Sequence, residues 1–156
     1  MKLIPVLAAA ALIALPCSAQ TAGHAQVFSN KDISSQMQAL IQAAKASGSS
    51  GAKLADYHSH LIELSTRTSS GGAEVHAHFD DIFVVTRGRA TLTTGGTVID
   101  PRTGPNGETK GRGIRDGKSQ TIAKGDIVNI PAGTPHQLTL APGSTYAAIV
   151  IKVREP

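Results

Sequence analysis

Tryptophan is absent from the chain, and tyrosine and phenylalanine together supply only five of its 156 residues. A hydrophobic core must therefore be filled by Val, Ile, Leu and Ala. Cysteine occurs once, at Cys17. That excludes an internal disulfide framework. Long apolar runs are also lacking: the longest, Leu3 to Leu15, has 13 residues, short of the ~20 that span a bilayer as a helix. Charge of one sign is scarce as well. Fifteen Lys and Arg face eleven Asp and Glu, a net charge of +4. So small a surplus, spread along the chain without interleaved aromatics, does not describe a nucleic-acid-binding surface.

The short apolar run follows Lys2 and leads into Pro16-Cys17-Ser18-Ala19, the order of basic start, apolar stretch and small-residue cleavage site found in secretory signal peptides. Residues 1–19 are expected to be such a signal, and the protein to be periplasmic or secreted, free of the membrane after cleavage. Removing 19 of 156 residues leaves 137. The remaining chain has no cysteine, so thiol catalysis is excluded.

What is present is 16 glycines and 8 prolines, which imply many turns and a β-rich fold. Before the turns begin, Ser29 or Asn30 can cap a helix in which Ile33, Met37, Leu40, Ile41 and Ala44 recur every three or four residues. Such a stripe packs against the main domain or against a second copy of the chain. GSSG at 48–51 reads as a linker, so residues 20–51 form an N-terminal helix and linker ahead of a domain at 52–156. From Tyr57 onward the period shortens to two, in HLIEL, DIFVV, ATLTT, TVID, QTIA, DIVNI, HQLTL and YAAIVIKV. About eight short strands in an antiparallel sandwich or barrel fit this pattern. Val75, Phe83, Val85, Ile130 and Leu138 are candidates for its core or cavity. Residues 100–118, rich in Gly and charge, are expected to be an exposed excursion, either a solvated loop or one that draws in an anion.

Six histidines are unevenly placed. In EVHAHFDD, residues 74–81, His76 and His78 precede Asp80 and Asp81. On one strand the two imidazoles would share a face, roughly 6 to 7 Å apart, a spacing suited to a shared metal. His58 and His60 in DYHSHLIEL repeat the pattern and share a face with Ile62 and Leu64. They are candidate catalytic residues, a general base or a second donor near the metal, if that face is the barrel interior. A fifth histidine, His136, closes GDIVNIPAGTPHQ at the end of a Pro-Ala-Gly-Thr-Pro turn.

Gly125, Pro131, Gly133 and His136, with their spacing, resemble the second motif of the cupin superfamily, and EVHAHFDDIFVVTRG resembles its first. The resemblance spans about residues 57–153. It implies an all-β fold, a single cupin barrel of the double-stranded β-helix or jelly-roll kind, here preceded by the short helix. It also implies a metal held by His76, His78 and His136, with Asp81 in the place of the acid. Asp81 stands where the family usually has glutamate, Ser70 where the first motif opens with glycine, and Leu140 where asparagine often closes the second. Strict alternation from the two histidines would favour Asp80, register from Gly88 favours Asp81, and water in the remaining positions is the third arrangement. Such donors suit a divalent transition metal, Fe, Mn, Zn, Ni or Cu. The implied function is a metal-dependent enzyme of dioxygenase, isomerase or lyase type acting on a small oxygen-rich or anionic compound. The alternative is a non-catalytic binding cupin. Cupins also often pair through strand edges, which implies a homodimer.

Overall fold

The structure is a computed structural model and describes residues 23–155; the expected signal sequence, 1–19, lies outside them. Helix α1 spans Asn30–Ser47. Strands β1 (Ser49–Asp56), β2 (His60–Arg67), β3 (Ala73–His76), β4 (Phe79–Arg87), β5 (Arg89–Thr94) and β6 (Thr97–Ile99) follow. The chain continues through β7 (Arg102–Thr103), β8 (Glu108–Gly111), β9 (Gly113–Arg115) and β10 (Lys118–Ala123). It closes with β11 (Ile127–Ile130), β12 (His136–Thr139) and β13 (Tyr146–Arg154). No helix among the described residues is long and apolar enough to cross a membrane.

Helix α1 begins where the sequence placed it. The Ser29 hydroxyl accepts the Asp32 N–H, and Gly48 ends the helix in the left-handed conformation, its N–H donating to Ala44, as a residue without Cβ permits. The expected linker is instead a strand. After Gly48 the chain extends at once into β1, paired antiparallel with β2 from Ser49↔Arg67 to Asp56↔Leu61. Ser and Gly compose linkers and edge strands alike, and pairing with β2 decides between them.

Two antiparallel sheets face one another, in the orders β1-β2-β13-β4-β11 and β10-β5-β12-β3-β8-β7. Strands from both supply the core between them: Phe83, Val85, Ile130, Tyr146, Ala148 and Val150 from the first, and Leu92, Ile122 and Leu138 from the second. This is the jelly-roll barrel that the motifs implied. Four of the five expected core residues lie in it. Val75 does not, because on β3 it alternates with Glu74 and His76, which line the cavity.

A second core lies on the other face of the five-stranded sheet. There Met37 and Ile41 of α1 pack with Leu64 and Ala147, flanked by Ile33, Leu40, Leu54 and Ile149. The helix thus packs on its own domain. Residues 100–118 also differ from the expected excursion. They form β7, β8 and β9; β8 joins the six-stranded sheet beside β3, and β9 pairs with β6. Charge and glycine alone did not reveal that β3 had an open edge for β8 to fill.

Candidate metal centre

The cavity between the sheets measures about 240 Å³. His76 from β3, Asp81 from β4 and His136 from β12 meet at its wall. His76 Nε2 lies 3.2 Å from Asp81 Oδ2, and His136 Nε2 lies 3.9 Å from the same oxygen. Asp81 and His136 are 3% and 4% exposed, so these polar groups meet largely out of water. Glu74 is the direct antiparallel partner of His136. Ligating atoms of Glu74, His76 and His136 all lie within 4.8 Å of one another.

Local backbone explains the convergence. Strand β3 ends at His76, and Ala77 and His78 form a turn into β4, which crosses to the opposite sheet. The turn resets the alternation, so Asp81, with Phe83 and Val85, faces inward. Asp80 points elsewhere: its Oδ1 accepts the Ala132 N–H at 2.7 Å. The Gly133 N–H donates to the His76 carbonyl at 2.8 Å. Two hydrogen bonds therefore fasten the Pro-Ala-Gly-Thr-Pro turn to both strands that carry the other donors, and the turn delivers His136 between them.

The same turn removes His78 from the cluster. Its side chain is exposed, and it lies so close to Gly107 that a Cβ there would come within 2.9 Å of its Nε2. The shared face expected of His76 and His78 required an unbroken strand, which the corner between sheets interrupts. His58 lies exposed at a bend, and His60 opens β2 on the face of Leu64. That face is buried, but against α1 rather than the cavity. His60 instead accepts or donates through Nδ1 to Ser59 at 2.9 Å and lies beside Tyr57, ring centroids 4.8 Å apart. Neither histidine reaches the cavity.

Five charged residues at the site were missed, among them Glu63 and Arg67 on the inward face of β2. Glu74 was legible: alternation backward from His76 puts it on the same face. Lys152 carried a weaker signal, a lysine at the buried parity of an apolar strand. It is the cross-strand partner of Asp81, and its Nζ donates to Asp81 Oδ1 at 2.5 Å. Glu108 gave no signal, because the pairing of β8 with β3 brings its carboxylate from 32 residues away onto His76 Nδ1.

The hydrogen bonds fix the roles of the ring nitrogens. The Thr134 carbonyl can only accept, so His136 Nδ1 carries the proton in their 3.1 Å contact. Burial holds the His136 imidazole below its ordinary pKa, leaving Nε2 as a bare acceptor toward the cavity. For His76, burial opposes the charged form, but the Asp81 and Glu108 carboxylates outweigh it and raise the pKa. Burial likewise opposes ionisation of Asp81, yet His76 and Lys152 hold its carboxyl below the usual range. Acceptors thus converge on a point that calls for positive charge. The cluster of Glu74, His76 and His136 is consistent with a divalent ion at that point. The donor set, two imidazoles with carboxylates, suits a transition metal.

No family model and no curated protein matches the sequence. Solved structures do match in fold. A conserved protein of Klebsiella pneumoniae with a double-stranded β-helix domain aligns with a TM-score of 0.57 at 12% identity, covering 83% of this chain and 90% of that one. This protein has the cupin fold. The cupin domain of Schizosaccharomyces pombe Cnp3 aligns at 0.52, with 10% identity over 69% of this chain and 65% of that one. The DMSP lyase DddQ of Ruegeria pomeroyi aligns at 0.50, with 13% identity over 72% of this chain and 53% of that one. At these identities the likeness concerns the cupin barrel alone.

Proposed function

We propose that the protein is an exported metal-dependent cupin enzyme acting on a small oxygen-rich or anionic compound by oxidoreductase, isomerase or lyase chemistry. The observation that carries this reading is the convergence of His76, His136 and Glu74 at the wall of a cavity with room for a small molecule, with Asp81 within 3.2 and 3.9 Å of the two imidazoles. His76 and His136 would hold the metal through Nε2, with Glu74 and Asp81 as its carboxylate donors. When bound, a divalent transition metal supplies Lewis acidity toward a substrate oxygen or, if redox-active, electron transfer.

The chain's own residues divide the remaining work. Glu108 holds the His76 ring by its far nitrogen, and Thr134 does the same for His136, so both rings are aimed before any ligand arrives. Lys152 keeps Asp81 ionised and oriented. Glu63 also lines the cavity and forms no ion pair or side-chain hydrogen bond among the described residues; it is the carboxylate free to take or give a proton. Export is supported by the pattern of residues 1–19.

The test is elemental analysis of purified protein expressed with its N-terminal segment. About one transition metal per chain is expected, and it should be lost in the double variant His76→Ala, His136→Ala while circular dichroism still reports a β fold. Retention of metal by a folded double variant overturns the centre described here.

A further inference from the structure

Arg67 ends β2 on the inward face and lines the same cavity as His76 and His136. It is half-buried, yet its guanidinium forms no ion pair and donates no hydrogen bond among the described residues. The chain makes room for it: a Cβ on Gly71 would come within 2.6 Å of a guanidinium nitrogen and 2.9 Å of its central carbon. Its cross-strand partner Tyr146 lies in the core rather than in the cavity lining, its buried hydroxyl without a partner among the described residues. A half-buried cation facing a cavity without a partner is costly unless something satisfies it.

We infer that Arg67 is the anchor for a carboxylate group of the substrate, whose other end reaches the His76–His136 centre; the inference rests on the metal-enzyme reading above. A planar guanidinium fits a carboxylate in a bidentate pair. Phosphate dianions are usually met by more than one cation, and Lys152 is already committed to Asp81. The balance of the cavity agrees. Glu63, Glu74 and Asp81 outnumber Arg67 and Lys152 by one charge, so a divalent ion turns a slightly negative cavity slightly positive and ready for an anion. Size narrows the class further. The volume of about 240 Å³ is below the ~300 Å³ at which drug-sized pockets begin. A short-chain hydroxy or keto acid fits within that volume.

Isothermal titration of the metal-loaded protein with 2-hydroxyglutarate, glutarate, the uncharged glutaramide and inorganic phosphate tests this, with metal content measured on every sample. The carboxylates should bind and glutaramide should not. Arg67→Gln should weaken carboxylate binding about tenfold or more while retaining its metal, and Arg67→Lys should recover part of the loss. The anchor is overturned if no carboxylate binds, if Arg67→Gln binds equally well, or if phosphate binds more tightly than the carboxylates. A wild-type protein without metal refutes the metal reading separately. In that case the same comparison of wild type and Arg67→Gln, made on the metal-free protein, decides the anchor.

Discussion

On its outer face the five-stranded sheet offers Leu64, Ala147 and Ile149 to α1, while its inner face offers Glu63, Asp81 and Lys152 to the cavity. Neighbouring residues thus serve opposite purposes. The outer face is stabilised by removing apolar area from water, at roughly 25 cal/mol per Å². The inner face at the cavity buries charge, which favours folding only when each charge is matched. Alternation along a strand keeps the two apart, so a destabilising polar site can be carried by a sheet whose other face is conventional packing.

Removing one member of the buried pair should have the largest effect. Asp81→Ala leaves Lys152 charged and unmatched, and is expected to cost about 3 to 5 kcal/mol in urea unfolding of the metal-free protein at pH 7. The carboxyl of Asp81 is held below its unfolded value, so its contribution is present above that value, near pH ~4, and is lost as pH falls through the depressed one. The gap between wild type and variant should therefore narrow in acid. On the outer face Ile41→Ala should cost about 2 to 3 kcal/mol by the same measurement, since a surface helix can partly close the cavity left behind. It should leave metal affinity unchanged. A fall in affinity would mean that the two faces are not independent.

Glu108→Gln should weaken metal binding about tenfold in chelator competition, with little change in unfolding, because the carboxylate that aims His76 is replaced by a neutral amide. The smallest effect is expected at His78. His78→Ala should shift stability by no more than about 0.5 kcal/mol and leave metal content intact, whereas loss of metal would return His78 to the centre.

Much of the barrel was legible because its signals are local. Period-two apolar runs, glycine turns and the capped helix follow from the residues themselves, and the spacing of Pro131, Gly133 and His136 pointed to a built turn. The site was legible only in part. The structure brings His76, His136 and Asp81 together and turns Asp80 aside, whereas the expectation for His78 depended on a strand that in fact ends at His76. His60 failed for a different reason. Its neighbours are buried as expected, but the sheet has two buried faces, and periodicity reports burial without saying which side.

The amino-acid order by itself determined the helix and its cap, the alternation of the strands, the apolar filling of the core and the histidines available to ligate a metal, because each depends on residues close together along the chain. Tertiary structure alone decided which of those histidines meet. It turned the chain out of β3 at Ala77 and His78, laid β8 against β3 to bring Glu108 onto His76, and set Lys152 opposite Asp81. These are pairings between strands distant in sequence, and their register is fixed by the packing of two whole sheets rather than by any local stretch.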